Sequence, residues 1–166
     1  MLQVMNNLKQ FFENNYRRIN VREYARLMKI SPPFASKTLK TLEKEGLLLR
    51  EKDHLFLYFV ANRQNSLFIQ LQRAYYSQQI EKIGLLEYLE RELVSPLIIL
   101  FGSLAKGEAQ STSDADIAIV TMTKKKLELE AFEQKLGREI QWFMFKDRKD
   151  AEKNEEPCSK LQGIKK

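Results

Sequence analysis

The residue types in this chain best suited to chemistry lie in PLIILFGSLAKGEAQSTSDADIAIV, residues 96–120. Gly102 and Ser103 close one aliphatic run, and Asp114 and Asp116 open another after ten intervening residues, giving G-S-x10-D-x-D. From average residue usage, four such fixed positions arise by chance in a chain of this length on the order of a few times in a thousand. Each type has a physical use. Gly102 has no Cβ, so the backbone turns tightly and lets a polyphosphate come close. Ser103 falls where a helix begins, so its hydroxyl and the free amides behind it suit phosphate oxygens. Side chains alternate along a strand, so Asp114 and Asp116 share a face and offer two hard oxygen ligands to Mg²⁺.

The elements that must position these residues read as strand, glycine turn, short helix, polar loop and strand. Pro96 to Phe101 is expected to be a buried strand. A later strand is expected in GREIQWFMF, and the stripe Leu127, Leu129, Phe132 and Leu136 before it is expected to cover the sheet. Residues 63–94 read as mostly helical, with Leu67, Phe68, Leu71, Ala74 and Tyr75 on one face and Ile80, Ile83, Leu86 and Leu93 further on. Gly84 weakens that helix near its middle.

G-S-x10-D-x-D at this spacing resembles the minimal nucleotidyltransferases of the polymerase-β-like superfamily. The resemblance implies transfer of a nucleotidyl group, most simply AMP from Mg·ATP, to an acceptor hydroxyl. It implies nucleotide binding by Gly102, Ser103, Lys106 and Ser113. Lys106 stands in a GSxAxGE-like context and would neutralise phosphate charge, and Ser113 would orient Asp114. Asp114 and Asp116 would hold the metal and take part in catalysis. The family places a third carboxylate on a later strand, as base and ligand to a second metal. Here that position falls on Gln141, whose amide cannot take a proton. Glu139, two residues away on the same strand face, is the candidate substitute. The resemblance also implies an antitoxin-like role, with a HEPN-type ribonuclease toxin as acceptor.

The first third of the chain carries a different signal. Residues 1–62 hold eleven Lys and Arg against six Asp and Glu, whereas residues 97–166 hold thirteen against twelve, so the excess behind the net charge of +6 lies at the front. A basic domain is the electrostatic footprint of polyanion binding. Helical spacing recurs in Leu2, Met5, Leu8, Phe11 and Phe12 and in Tyr24, Leu27 and Met28, and Asn20 with Glu23 suggests a capping box. Ser31 and Pro32 start a third helix, Ala35, Leu39 and Leu42 form its inward stripe, and Gly46 ends it. LLLRE and HLFLYFVA then read as a hairpin turning at Lys52 and Asp53.

This order, with SPPFASKTLKTLEKEGLLLR, resembles the winged-helix regulators over about the first 60 residues. The resemblance implies double-stranded DNA as partner, with the third helix in the major groove. Pro33, Ser36, Lys37 and Lys40 are the expected contacts of that helix, and Arg50 and Lys52 on the wing would meet phosphates. Winged-helix proteins often pair on half-sites, so a homodimer is a further expectation.

The fold class expected is therefore α+β. A winged helix-turn-helix over 1–62 and a connecting helix over 63–78 precede a nucleotidyltransferase-like α/β domain with a mixed sheet over 79–166. Two functions fit: a DNA-tethered nucleotidyltransferase, or a transcription regulator whose second domain binds nucleotide without turnover. Apolar residues make up 43% and charged residues 30%, as in globular proteins. No apolar run approaches the roughly 20 residues of a membrane span. The start lacks the pattern of a secretory signal, so the cytoplasm is the expected location. Cys158 is the single cysteine and His54 the single histidine, which excludes an internal disulfide and a Cys/His zinc site. Residues 146–166 are expected to form a short surface helix and a loose tail.

Overall fold

The computed structural model describes residues 2–123, 125–147 and 149–150. The residues form two compact units, Met1–Gln72 with Gly107–Ser111, and Arg73–Lys106 with Thr112–Lys166. Cys158 and the expected loose tail lie outside the described residues. Among the described residues no helix is long and apolar enough to cross a membrane.

The first unit comprises α1 (Leu2–Glu13), α2 (Val21–Met28), α3 (Pro32–Lys44), the strands β1 (Leu48–Asp53) and β2 (Phe56–Ala61), and the first turns of α4 (Ser66–Lys82). Of the residues anticipated from helical spacing, Met5, Leu8, Phe11, Phe12, Tyr24, Ala35, Leu39 and Leu42 are buried, joined by residues distant in sequence. Leu27 and Met28 are only half-buried, because α2 turns them toward its margin. Leu8, Phe11, Phe12, Tyr24, Leu39, Leu48, Phe59 and Phe68 are fully buried, and the rings of Phe12 and Phe68 lie 5.2 Å apart. The Asn20 side chain caps α2 by accepting from the Glu23 amide at 2.9 Å. Only that half of the capping box appears as expected: the Glu23 carboxylate instead pairs with Arg17 at 2.7 Å. Gly46 ends α3 with φ +72°, and the amides of Gly46 and Leu47 bond back to the carbonyls of Glu43 and Leu42. These two bonds satisfy carbonyls that the helix end would leave bare.

β1 and β2 pair antiparallel, Leu48 opposite Ala61 through Asp53 opposite Phe56. The turn is therefore His54–Leu55, two residues later than the sequence pattern places it. His54 adopts φ 50°, a left-handed conformation that histidine tolerates better than β-branched residues. Lys52 and Asp53, expected at the turn, are paired strand residues because the strand register continues through them. Ile19 also bridges Phe59 in an antiparallel sense.

The buried stripe of α4 differs from the one expected. Phe68, Gln72, Tyr75, Tyr76 and Ile80 are buried, whereas Leu67 and Ala74 face outward. The expected stripe followed apolar identity and so passed over Gln72, whose amide oxygen accepts from the buried Asn15 side chain at 2.7 Å. Gly84, at φ +80°, separates α4 from α5 (Leu85–Glu92).

The second unit continues with β3 (Leu97–Phe101), α6 (Gly102–Lys106), β4 (Ala115–Val120), α7 (Glu130–Leu136) and β5 (Ile140–Phe145). The sheet order is β3-β4-β5, antiparallel between β3 and β4 and parallel between β4 and β5, a mixed sheet. β4 is central and buried almost throughout, as its aliphatic run ADIAIV requires. Phe101, Ala118 and Phe145 form a core on one face, with Ile99, Val120 and Phe143 packed around it. β3 departs from the burial expected of it. It lies at the edge, with Leu97 58% exposed and the next three residues half-buried. Beyond β4, Lys125 pairs with Glu92, and Lys125 and then Arg91 hold the Glu92 carboxyl below its ordinary range.

Candidate functional site

The site is built where β3 ends. Its last residue, Phe101, is in register with Asp116 of β4, and Asp116 is in register with Gln141 of β5. Backbone pairing alone thus sets the start of α6, an aspartate and an amide side by side. Gly102 follows Phe101 with φ +70°, and it is packed so closely that a Cβ there would stand 1.9 Å from Asp116 Oδ2. Glycine is required at this position on both counts. Asp116 is buried, with 7% of its surface exposed, while Asp114, one residue ahead of β4, is exposed.

Ser103 is the second residue of α6 and half-buried, and Lys106, also half-buried, ends that helix. Glu139 is exposed just ahead of β5, and its carbonyl accepts from the Ala115 amide at 2.8 Å. Glu139 and Asp114 are therefore neighbours at the mouth of the β4–β5 pair, and Gln141 and Asp116 are neighbours one step inside it.

Three residues that sequence reasoning missed hold this arrangement. The Arg138 guanidinium donates from Nη1 to the Ser113 carbonyl at 2.6 Å and from Nη2 to the Tyr76 hydroxyl at 3.2 Å. It also stands 5.6 Å from the centre of the Tyr76 ring. Arg73 donates from Nε to the Ala105 carbonyl of α6. Only a basic residue next to Glu139 hinted at any of these, because the partners lie 25 to 62 residues apart in sequence.

Two carboxylates suit Mg²⁺, which is usually held by one or two protein carboxylates together with substrate phosphates. The buried Asp116, backed by a glycine whose missing side chain leaves its oxygen room, fits that use. Among the described residues no group of three or more His, Cys, Asp or Glu is placed to hold a metal ion by itself.

The expected DNA-binding residues all fall in the first unit. Pro33, Lys37 and Lys40 are exposed on α3 and Ser36 is half-buried. Lys52 is exposed within β1. Arg50 is also exposed, but its guanidinium pairs with Glu43 at 3.0 Å. Arg18, which no sequence signal marked, binds Glu51 and Asp53 at 3.1 and 3.2 Å and lies over Tyr58.

Residues 81–154 match the family model described as Polymerase beta, Nucleotidyltransferase. The matched stretch runs from the end of α4 past β5 and contains every residue of G-S-x10-D-x-D. That part of the chain is similar to the nucleotidyltransferase family, and its small mixed sheet is of the kind such a domain needs. No curated protein and no solved structure matches the chain.

Proposed function

We propose that the second unit transfers a nucleotidyl group, AMP from Mg·ATP, to an acceptor hydroxyl. The observation that carries this reading is the close packing of Gly102 on the buried Asp116 carboxylate, which brings the turn that would admit a phosphate beside the carboxylate that would hold the metal. Asp114 and Asp116 would hold Mg²⁺, which when bound neutralises phosphate charge and makes the α-phosphorus a better electrophile. Gly102 admits the polyphosphate, and Ser103 and Lys106 bind its oxygens. Ser113 fixes the approach to Asp114. Glu139 takes the proton of the acceptor hydroxyl as its oxygen bonds to the α-phosphorus and pyrophosphate leaves. The acceptor class suggested by the family resemblance is a tyrosine of a HEPN-type ribonuclease, which would give the protein an antitoxin-like role.

For the first unit we propose a winged helix that binds double-stranded DNA. Supporting this are three helices followed by an antiparallel hairpin, the Ile19–Phe59 bridge beside that hairpin, and the exposed Lys37 and Lys40 on α3. The unit would localise the protein on DNA as a transcription regulator, pairing as a homodimer on two half-sites. A cytoplasmic location suits both activities.

The experiment is incubation of the full chain with ATP labelled at the α-phosphate, Mg²⁺ and a purified HEPN-type ribonuclease. Label on the ribonuclease, lost in Asp116→Asn, is the expected result; no label with any acceptor tried overturns catalysis. One observation favours a second reading. Gln141, in register with Asp116, occupies the place where a third carboxylate would act. If ATP binds with Mg²⁺ but no label moves, the unit is a nucleotide sensor for the DNA-binding unit.

A further inference from the structure

Two arginines in the second unit have their guanidinium groups committed to backbone carbonyls of the site, and helix α4 supplies or anchors both. Arg73 of α4 reaches the Ala105 carbonyl on α6, the helix that begins with Gly102 and Ser103. Tyr76, three residues on and hence on the same side of α4, meets Arg138, which holds the Ser113 carbonyl beside Asp114. One turn of one helix therefore grips both halves of G-S-x10-D-x-D.

A backbone carbonyl bonded by a charged guanidinium is a strong restraint, worth more than a neutral hydrogen bond. Arg138 has a planar fork, so it can serve Ser113 and Tyr76 at once. A lysine has a single nitrogen and no such plane. Asp116 needs no such help, being fixed by β-pairing on both sides and by its packing against Gly102. Asp114 precedes the strand and is exposed, so its position depends on the loop that Arg138 holds.

We infer that Arg138 is a positioning residue: with Tyr76 it latches the Ser113–Asp114 loop to α4 and so sets the distance between the exposed aspartate and the fixed one. Its consequence for metal and nucleotide rests on the nucleotidyl-transfer reading above; the latch itself does not. The partner it would serve is Mg²⁺ presented with a triphosphate, because a ligand held by both Asp114 and Asp116 would depend on their separation.

The test uses the full chain, with Arg138→Met, Arg138→Lys and Tyr76→Phe, and two readouts. The first is amide hydrogen exchange over residues 112–116, with residues 35–42 as an internal reference. The second is ATP affinity by calorimetry with and without Mg²⁺. Arg138→Met is expected to speed exchange at 112–116 and to reduce the Mg²⁺-dependent gain in ATP affinity, each by about tenfold. The reference exchange and the Mg²⁺-free affinity should not change. Arg138→Lys recovers only part of the loss, and Tyr76→Phe shows a smaller loss in the same direction. Unchanged exchange and an unchanged Mg²⁺-dependent gain in Arg138→Met overturn the inference. If Arg138→Met does not fold, Tyr76→Phe, which removes one oxygen, decides by the same criteria. If the wild-type chain shows no Mg²⁺-dependent gain, the nucleotide reading fails, and exchange alone decides whether the latch exists.

Discussion

Gly102 and Asp116 are packed so that the glycine's missing side chain is the space the carboxylate occupies, with only 1.9 Å between Asp116 Oδ2 and where a Cβ would be. Gly102→Ala must therefore displace Asp116 or shift the end of β3, and it adds the strain of an alanine at φ +70°. The expected outcome is a chain destabilised by about 2 kcal/mol or more that has also lost Mg²⁺-dependent ATP binding. Thermal unfolding and calorimetry check the two effects. A chain that melts like the wild type would show that the carboxylate relocates freely, and the site would then need a different basis.

The pairing of Asp116 with Gln141 predicts how activity can be changed from the β5 side. Glu139→Gln is expected to lower α-phosphate label transfer by about a hundredfold, the lower end of general-base effects. Gln141→Asp is expected to raise it at least about tenfold by supplying a carboxylate in register with Asp116. Equal rates for wild type and Glu139→Gln would remove Glu139 from the mechanism.

On the first unit, the combined Lys37→Ala and Lys40→Ala variant is expected to bind duplex DNA at least about tenfold more weakly. If either lysine meets phosphate, the dependence of log affinity on log salt also becomes shallower, by about 0.9 for each phosphate no longer neutralised. Arg50→Ala should change DNA affinity less, because Arg50 is already paired with Glu43. Fluorescence anisotropy across a salt series measures all three.

Tyr24 gives the first unit a pH limit. Burial pushes its hydroxyl up to about 12 from an ordinary 10.0, and the hydroxyl donates to the Asn7 carbonyl at 2.8 Å. In the unfolded chain the phenol ionises near pH 10, while in the folded chain it stays neutral until about 12. The contribution of Tyr24 is thus complete below pH 10 and is lost as pH rises toward 12, by roughly 3 kcal/mol at most. Tyr24→Phe should be less stable than wild type at pH 7 by about 1 kcal/mol, for the missing hydrogen bond, and should fall less steeply above about pH 10. Denaturant titrations at about pH 7, 10 and 11.5 distinguish the two; parallel decline of both proteins would contradict the assignment.

Local chemistry made much of this legible. Asn20 capping α2, Gly46 ending α3 and the Ala35, Leu39, Leu42 stripe follow from side-chain size and hydrogen-bonding capacity within a few residues. The closeness of Gly102 to Asp116 has the same local origin, since they are only 14 positions apart, one just after β3 and the other within the β4 strand paired with it. What escaped was set by distant partners. The hairpin turn falls at His54 because the strand register runs through Lys52 and Asp53, and nothing within those residues marks it. Gln72 is buried because Asn15 meets it from beyond the end of α1, so a polar residue lies in an apolar stripe. Arg138, Tyr76 and Arg73 serve the site through hydrogen bonds that no short motif encodes.

The opposite senses of the two strand pairings have a consequence for how the domain matures. β3 and β4 are antiparallel and separated by thirteen residues, a short loop to close, whereas β5 joins β4 in parallel only after a crossover of nineteen residues that includes α7. A nascent chain can therefore zip the glycine turn onto its aspartate before the last strand has arrived. Arg138, Glu139 and Gln141 all come with that last segment, so the Ser113 carbonyl gains its guanidinium donor only after the strand pair it adjoins is already closed.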